Sequence, residues 1–539
     1  MNFAASVFFE RLRRSEAHQT SDIVKFLKEI DSEVDRYTTK ISALETEIAL
    51  LNSQRQRLQS HRTSISFLLS PIHRLPNELL TRIFTLACEK NVLNSDPGFR
   101  DGVALRIAGV SFRWRVLAIA CSEIWSSIVI QLHDGTEPEE VRLQLEHQLD
   151  IYLERSKDQR LTLEIYVGVP WRQVVHDPLI TKLVQHSARW QHLTLHDGYQ
   201  VEEADIRNLR THVPLPSTLE TLTIRIGPQP FPLSWIPSPN SLRIMDIDTY
   251  LPGVEEGIIP PPMDKVTSLT FIPKLDSLFE PLNWFPNIEH LALTSAREFI
   301  EAVDVSNGSP HIVPITSLEI NFLSQLSSNP DPTLDFLQIV MDFLTAPALS
   351  TLSINEIDTG VGSGVPRTSD QYSFTCISTF IERSGCRLSV LELSGLFIQD
   401  RSIVDLLKKL SSLVELHIHD PLRGRTDARS RPFPISKDLI ESLHAYQPSS
   451  LHLSISPIVP NLSVLVLKVQ SRKFDHLSFV STILSRWIPT DKLHTEDTGV
   501  SCLRSVELHI LEPVNEEVYL PLVPAGKSGM RIVVKRVRN

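Results

Sequence analysis

Polar residues do chemistry when their spacing brings them together, and four groupings in this chain invite that question. The first is Asp358-Thr359-Gly360-Val361-Gly362-Ser363-Gly364-Val365-Pro366, glycine-rich like a phosphate cradle but without a following Lys-Ser/Thr or a strand-to-helix frame. A flexible insertion is the favoured reading. The second is His417 and His419 around Ile418, with Asp420 beside them. A strand that buries Leu416 and Ile418 puts both imidazoles on its other face. An ordinary polar face explains them, and a metal pair is the alternative.

The third grouping is Arg423, Arg425, Arg429 and Arg431 in PLRGRTDARSRPF. Guanidinium groups suit an acidic or phosphorylated target segment. A solvated loop is the commoner fate of such a charge run. The fourth is the C-terminus, where Lys527, Arg531, Lys535, Arg536 and Arg538 interleave with Ile532, Val533, Val534 and Val537. A nuclear-localisation signal and an edge strand guarded by charge fit it equally.

No HExxH, GxSxG, Walker A or dinucleotide fingerprint occurs, and the 19 histidines and five cysteines show no zinc spacing. The expectation is a protein that is not an enzyme and has no metal or cofactor. A formal net charge of -11 argues against broad attraction to nucleic acid or anionic membranes. Cys88, Cys121, Cys376, Cys386 and Cys502 are scattered without a CxxC pair, which fits a reducing compartment. In MNFAASVFFERLRR the apolar patch precedes the arginines, the reverse of a signal peptide, and no later apolar run approaches membrane-spanning length. A cytoplasmic or nuclear location is expected, with no membrane partner.

Three kinds of element must position these residues. After an N-terminal segment, 1–21, apolar residues at alternating spacings of four and three mark a heptad helix over 22–63. They are Ile23, Leu27, Ile30, Val34, Tyr37, Ile41, Leu44, Ile48 and Leu51, resuming at Leu58 after a break at Arg55. Such a helix needs a partner surface. It either folds back on its own chain or forms a parallel homodimer through residues 23–58.

The second element opens with IHRLPNELLTRIF, where Pro76 suits the first helical turn because a backbone N–H there lacks an intrahelical acceptor anyway. Leu79, Leu80, Ile83, Phe84 and Ala87 recur at helical spacing behind it. Two more apolar stretches, around Val103–Ala108 and Val110–Ala118, lead to Ile124 and Trp125, so three short helices and a tryptophan-bearing end are predicted. Residues 71–130 thereby resemble the F-box, matching its pattern at Leu75, Pro76, Glu78, Leu79, Leu80, Ile83, Phe84, Val110, Trp114, Arg115 and Trp125. Ser111, Phe112 and Ile124 depart from it. The heptad helix followed by SPIHRLPNELLTRIF is also similar to a group of large fungal F-box proteins. The resemblance implies docking on a Skp-family adaptor, and through it on a cullin and a RING protein. It implies an exposed contact surface of Leu75, Pro76, Leu79, Ile83 and Phe84, with Val110, Trp114 and Trp125 in the module's core.

The third element is a series of Leu-x-x-Leu-x-Leu segments within 131–539. Clear copies start at Leu219, Ile288, Leu349, Leu388, Leu413 and Leu462, and weaker ones at Trp190, Leu242, Val266, Ile315 and Leu503. Their intervals run from 22 to 49 residues. DFLQIVMDFLTA, SFTCISTFIERSG and RSIVDLLKKLSS read as amphipathic helices between them. This is the strand signature of a leucine-rich-repeat solenoid, made irregular by insertions and mostly lacking the usual asparagine or cysteine.

The fold expected is therefore α plus α/β: a long coiled-coil-like helix, a three-helix F-box-like module, then an irregular leucine-rich-repeat-like solenoid. The function expected is the substrate-recognition subunit of an SCF-type ubiquitin ligase, binding a protein target through the repeats. The alternative is a coiled-coil homodimeric scaffold outside any ligase.

Overall fold

The structure, a computed structural model, describes residues 20–68, 71–93, 102–132, 139–168, 174, 176–197, 211–225, 235–236, 240–251, 263–273, 280–295, 311–323, 332–357, 375–396, 398–421, 433–445, 457–470, 474–487, 500–511, 513 and 515–537. The chain divides into two compact units, Met1–Ile83 and Phe84–Asn539.

The first unit holds α1, Thr20–Leu68, a helix of 49 residues that extends beyond both ends of the predicted heptad stretch. Its described side chains are exposed throughout, except for the half-buried Glu33. Hydroxyls of Thr38, Thr46 and Ser60 donate back to carbonyls four residues earlier, which keeps these polar side chains satisfied within the helix. A 3-10 turn, Pro71–Arg74, leads to α2, Asn77–Ala87. Pro76 stands one residue before the helix rather than inside its first turn, and its carbonyl accepts the first intrahelical bond from the Leu80 amide at 3.1 Å. Among the described residues no helix is long and apolar enough to cross a membrane.

The second unit begins with the remainder of α2, then β1 (Asn91–Leu93), α3 (Val103–Val110), α4 (Phe112–Ala120) and β2 (Ser127–Leu132). There follow α5 (Glu139–Arg155), β3 (Leu161–Val167), α6 (Pro178–Gln185), β4 (Trp190–Asp197), β5 (Thr221–Arg225), β6 (Ile244–Tyr250), β7 (Ser268–Ile272) and β8 (His290–Thr294). The chain continues through β9 (His311–Ile312), β10 (Ser317–Leu323), α7 (Pro332–Phe343), β11 (Leu344–Thr345), β12 (Thr351–Ile357), α8 (Thr375–Ser384), β13 (Val390–Ser394) and α9 (Asp400–Leu407). The last elements used below are β14 (Glu415–His419), α10 (Lys437–Ser442), β15 (Val464–Val469), α11 (His476–Ser485), β16 (Ser505–Ile510) and β17 (Arg531–Arg536).

Fifteen of these strands form one sheet whose spatial order is the chain order, while β9 and β11 pair separately. Adjacent strands are parallel, and the two apolar positions of each Leu-x-x-Leu-x-Leu segment stack in register: Leu318 on Leu352, Leu352 on Leu391, Leu391 on Leu416, Leu416 on Leu465. Those side chains are at most 1% exposed, so they make a continuous apolar row under the sheet. Successive helices touch one another, α7 against α8, α9 against α10 and α10 against α11.

The sheet is held together at its strand starts by a repeated backbone pattern. The Thr316 carbonyl accepts from Ser350 and Thr351, that of Ser350 from Ser389 and Val390, and that of Ser389 from Val414 and Glu415. Hydroxyls at the same position add a third bond, Thr316 Oγ1 to Glu289 O at 3.1 Å, Ser350 Oγ to Thr316 O at 3.1 Å and Ser389 Oγ to Ser350 O at 3.0 Å. Serine or threonine just after the first apolar residue thus links consecutive strands.

The expected boundary between the module and the strand array, at 130/131, is not present. β1 lies inside the module and pairs with β2 through Asn91 opposite Ile128. The buried Asn91 side chain donates to the carbonyls of Ile124 and Ser127 at 2.9 and 3.0 Å and accepts from the Ala104 amide at 2.9 Å and the Tyr152 hydroxyl at 3.3 Å. One fully desolvated amide therefore joins α3, β2 and α5, and separating them would orphan several polar groups. At the other end, Arg486 is 1% exposed and donates to the carbonyls of Leu443, Ile458 and Val459. Burial pushes its guanidinium down to about 10, still charged at neutral pH. It braces a turn in which Val459 adopts φ 46°, a left-handed conformation costly for a β-branched residue.

Candidate functional site

The predicted docking residues divide by exposure. In the first unit, Leu79 and Ile83 stand four residues apart on α2, 53% and 43% exposed, with Pro76 exposed and Leu75 half-buried. Two apolar side chains left open on one helical face, behind a proline that fixes the helix start, are what a partner's hydrophobic groove would fill.

Phe84 belongs to the second unit and corrects the expectation. It is 1% exposed, and its ring packs at a centroid distance of 4.9 Å against Trp114, so it serves the core and not the contact surface. Val110, expected in the core, is 47% exposed at the end of α3. The reason is the helix break at Ser111: its extended backbone ends α3 and its Oγ accepts from the Trp114 amide to start α4, leaving Val110 on the outside of the corner.

Trp125 is in the core as expected, fully buried, with its Nε1 donating to Ala118 O at 2.8 Å. Tyr152 meets its ring edge-on and the Arg155 guanidinium lies 4.6 Å from its centroid. Trp114 is half-buried.

Exposed apolar side chains that the sequence reading missed are Leu86 on α2 and Phe112, Val116 and Ile119 on α4. Phe112 is 78% exposed, and with Val116 and Ile119 it forms an apolar face on α4. Spacings of four and three at 112, 116 and 119 were the available signal.

The polar face of the sheet carries side chains at the alternate strand positions. Glu164 accepts from Lys90 and Tyr166, each at 2.6 Å, and lies 3.2 Å from His196. Burial pushes its carboxyl up, but those hydrogen bonds and the Lys90 charge outweigh it and hold it below the usual range. Arg225 makes two bonds to Asp246, and the Asn355 amide donates to Glu319 and Asn321.

His417 and His419 do share the face opposite Leu416 and Ile418. His419 Nδ1 is 3.2 Å from Ser394 Oγ and 4.0 Å from Glu392, while His417 Nε2 is 3.8 Å from Glu415. Burial first, then the charge of Lys468 and the nearness of other imidazoles, pushes His419 down to about 4, so it is neutral at physiological pH. Among the described residues, no group of three or more His, Cys, Asp or Glu is placed to hold a metal ion. Arg423, Arg425, Arg429 and Arg431, and the glycine-rich run after Ile357, lie outside the described residues. The basic C-terminal segment forms β17, last in the sheet order, with Arg531, Lys535 and Arg536 exposed along it.

A scan of the chain against protein-family models finds no match, and a search of curated proteins finds none.

Proposed function

We propose that this chain is the substrate-recognition subunit of an SCF-type ubiquitin ligase, docking a Skp-family adaptor through its F-box-like segment and, through that adaptor, a cullin and a RING protein. The strand array is read as an irregular leucine-rich-repeat-like solenoid that holds the protein target on its polar face. Catalysis resides in the partner subunits.

The observation that supports this reading most is the exposure of Leu79 and Ile83 on the helix that follows the Leu75-Pro76 pair. Exposed aliphatic anchors of this kind supply binding energy once a partner desolvates them. The register-stacked array of the second unit supplies a long polar surface with charged and aromatic side chains on offer, from Tyr166 to Lys535. Co-purification tests the reading. Wild type is expected to retain the adaptor, and Pro76→Ala with Leu79→Ala to lose most of it. Failure of wild type to bind, or equal binding by the variant, rejects it in favour of a scaffold outside any ligase.

A further inference from the structure

The seam of α1 has a residue choice that identifies its occupant. With Leu27 at heptad position a, the later a positions are Val34, Ile41, Ile48, Arg55 and Arg62, and the d positions are Ile30, Tyr37, Leu44, Leu51 and Leu58. The apolar side chains of this seam are 39% to 69% exposed. In its central stretch, Ile41, Leu44, Ile48 and Leu51, β-branched residues at a alternate with leucine at d, the choice that favours two parallel strands.

The flanking positions agree. In a parallel pair each g residue meets the e residue five places on in its mate, which gives Glu33 with Thr38, Lys40 with Glu45, Glu47 with Asn52, and Gln54 with Gln59. One pairing, Lys40 with Glu45, is attractive and none sets like charges together, so the flanking charges favour rather than oppose a parallel copy.

A groove of about 350 Å³ opens along the seam between Leu51, Gln54, Arg55, Leu58, Gln59 and Arg62. The first four of these form the hole for an incoming a side chain, and Arg55, Leu58, Gln59 and Arg62 form the next hole, for a d side chain. Arg55 at an a position fixes register at some cost in stability, with the Gln54 and Gln59 amide oxygens available to its guanidinium.

We propose that α1 pairs, parallel and in register, with α1 of a second copy of this chain, making the protein a two-stranded coiled-coil dimer. The claim is independent of adaptor docking, because the seam and the exposed residues of α2 are different side chains.

Light scattering on the full-length chain at micromolar concentration tests it. Wild type is expected at twice the protomer mass of 61.0 kDa, and Ile41→Asp with Ile48→Asp at the single mass with unchanged circular dichroism outside the helix. Leu51→Cys places two thiols across a d layer and is expected to yield an oxidised covalent dimer that wild type does not, since its own five cysteines lie outside α1. Lys40→Glu is expected to weaken the dimer several-fold, and Lys40→Glu with Glu45→Lys to restore it. A wild-type monomer, a higher oligomer, a dimer that survives the double aspartate change, or a dimer that fails to cross-link at position 51 each overturns the proposal. Pro76→Ala with Leu79→Ala is expected to leave the mass doubled.

Discussion

Phe84 and Leu79 are apolar residues of one helix with opposite tasks, and mutation separates them. Phe84 is sealed against Trp114, so Phe84→Ala is expected to destabilise the second unit by about 3–5 kcal/mol in chemical denaturation. Leu79 already meets water, so Leu79→Ala is expected to change stability by only about 0.5 kcal/mol while affecting docking. His419 gives a pH prediction of definite sign. Its folded-state value near 4 lies below the ordinary 6.5, so between those limits the unfolded chain binds the extra proton. The stability that goes with neutral His419 is complete above pH 6.5 and is lost as pH falls towards 4. His419→Gln, which does not titrate, is expected to show a shallower fall in denaturation midpoint over that window than wild type. A parallel fall in both proteins would contradict it.

At the scale of elements, the strand starts carry the cohesion of the sheet. Ser350→Ala and Ser389→Ala each remove one hydroxyl link between neighbouring strands and are expected to cost about 0.5–1.5 kcal/mol, with faster amide exchange at Thr351 and Val390. The Leu-x-x-Leu-x-Leu spacing was enough to place every strand it marked, because buried rows two residues apart leave little freedom of register. It missed β3 because Leu161 pairs with Trp190 and Leu163 with Leu193, a shift of one residue that breaks the spacing. It missed β2 because Trp125 holds the first position of Trp-x-x-Ile-x-Ile while also closing the tryptophan-bearing end of the preceding helices. β1 is three residues long, too short for any periodicity, and depends on the buried Asn91 side chain. Burial on helices was less legible still, since the turn at Ser111 decides that Val110 faces outward and no spacing encodes that turn.

The molecule as a whole combines exposed apolar side chains on α2, an exposed heptad seam on α1 and a long polar sheet face within a chain of formal net charge -11. If the proposed function and pairing both hold, paired copies present two target-binding faces and two adaptor sites, and a target with two epitopes gains affinity through effective concentration with no new contact. The central claim is nonetheless adaptor docking, and it is tested most directly by titrating purified Skp-family adaptor onto the full-length chain. Saturable binding is predicted for wild type, weakened at least about a hundredfold in Leu79→Asp with Ile83→Asp, at an unchanged thermal midpoint because both side chains are exposed. No saturable binding to wild type, or equal affinity in the variant, would contradict the account.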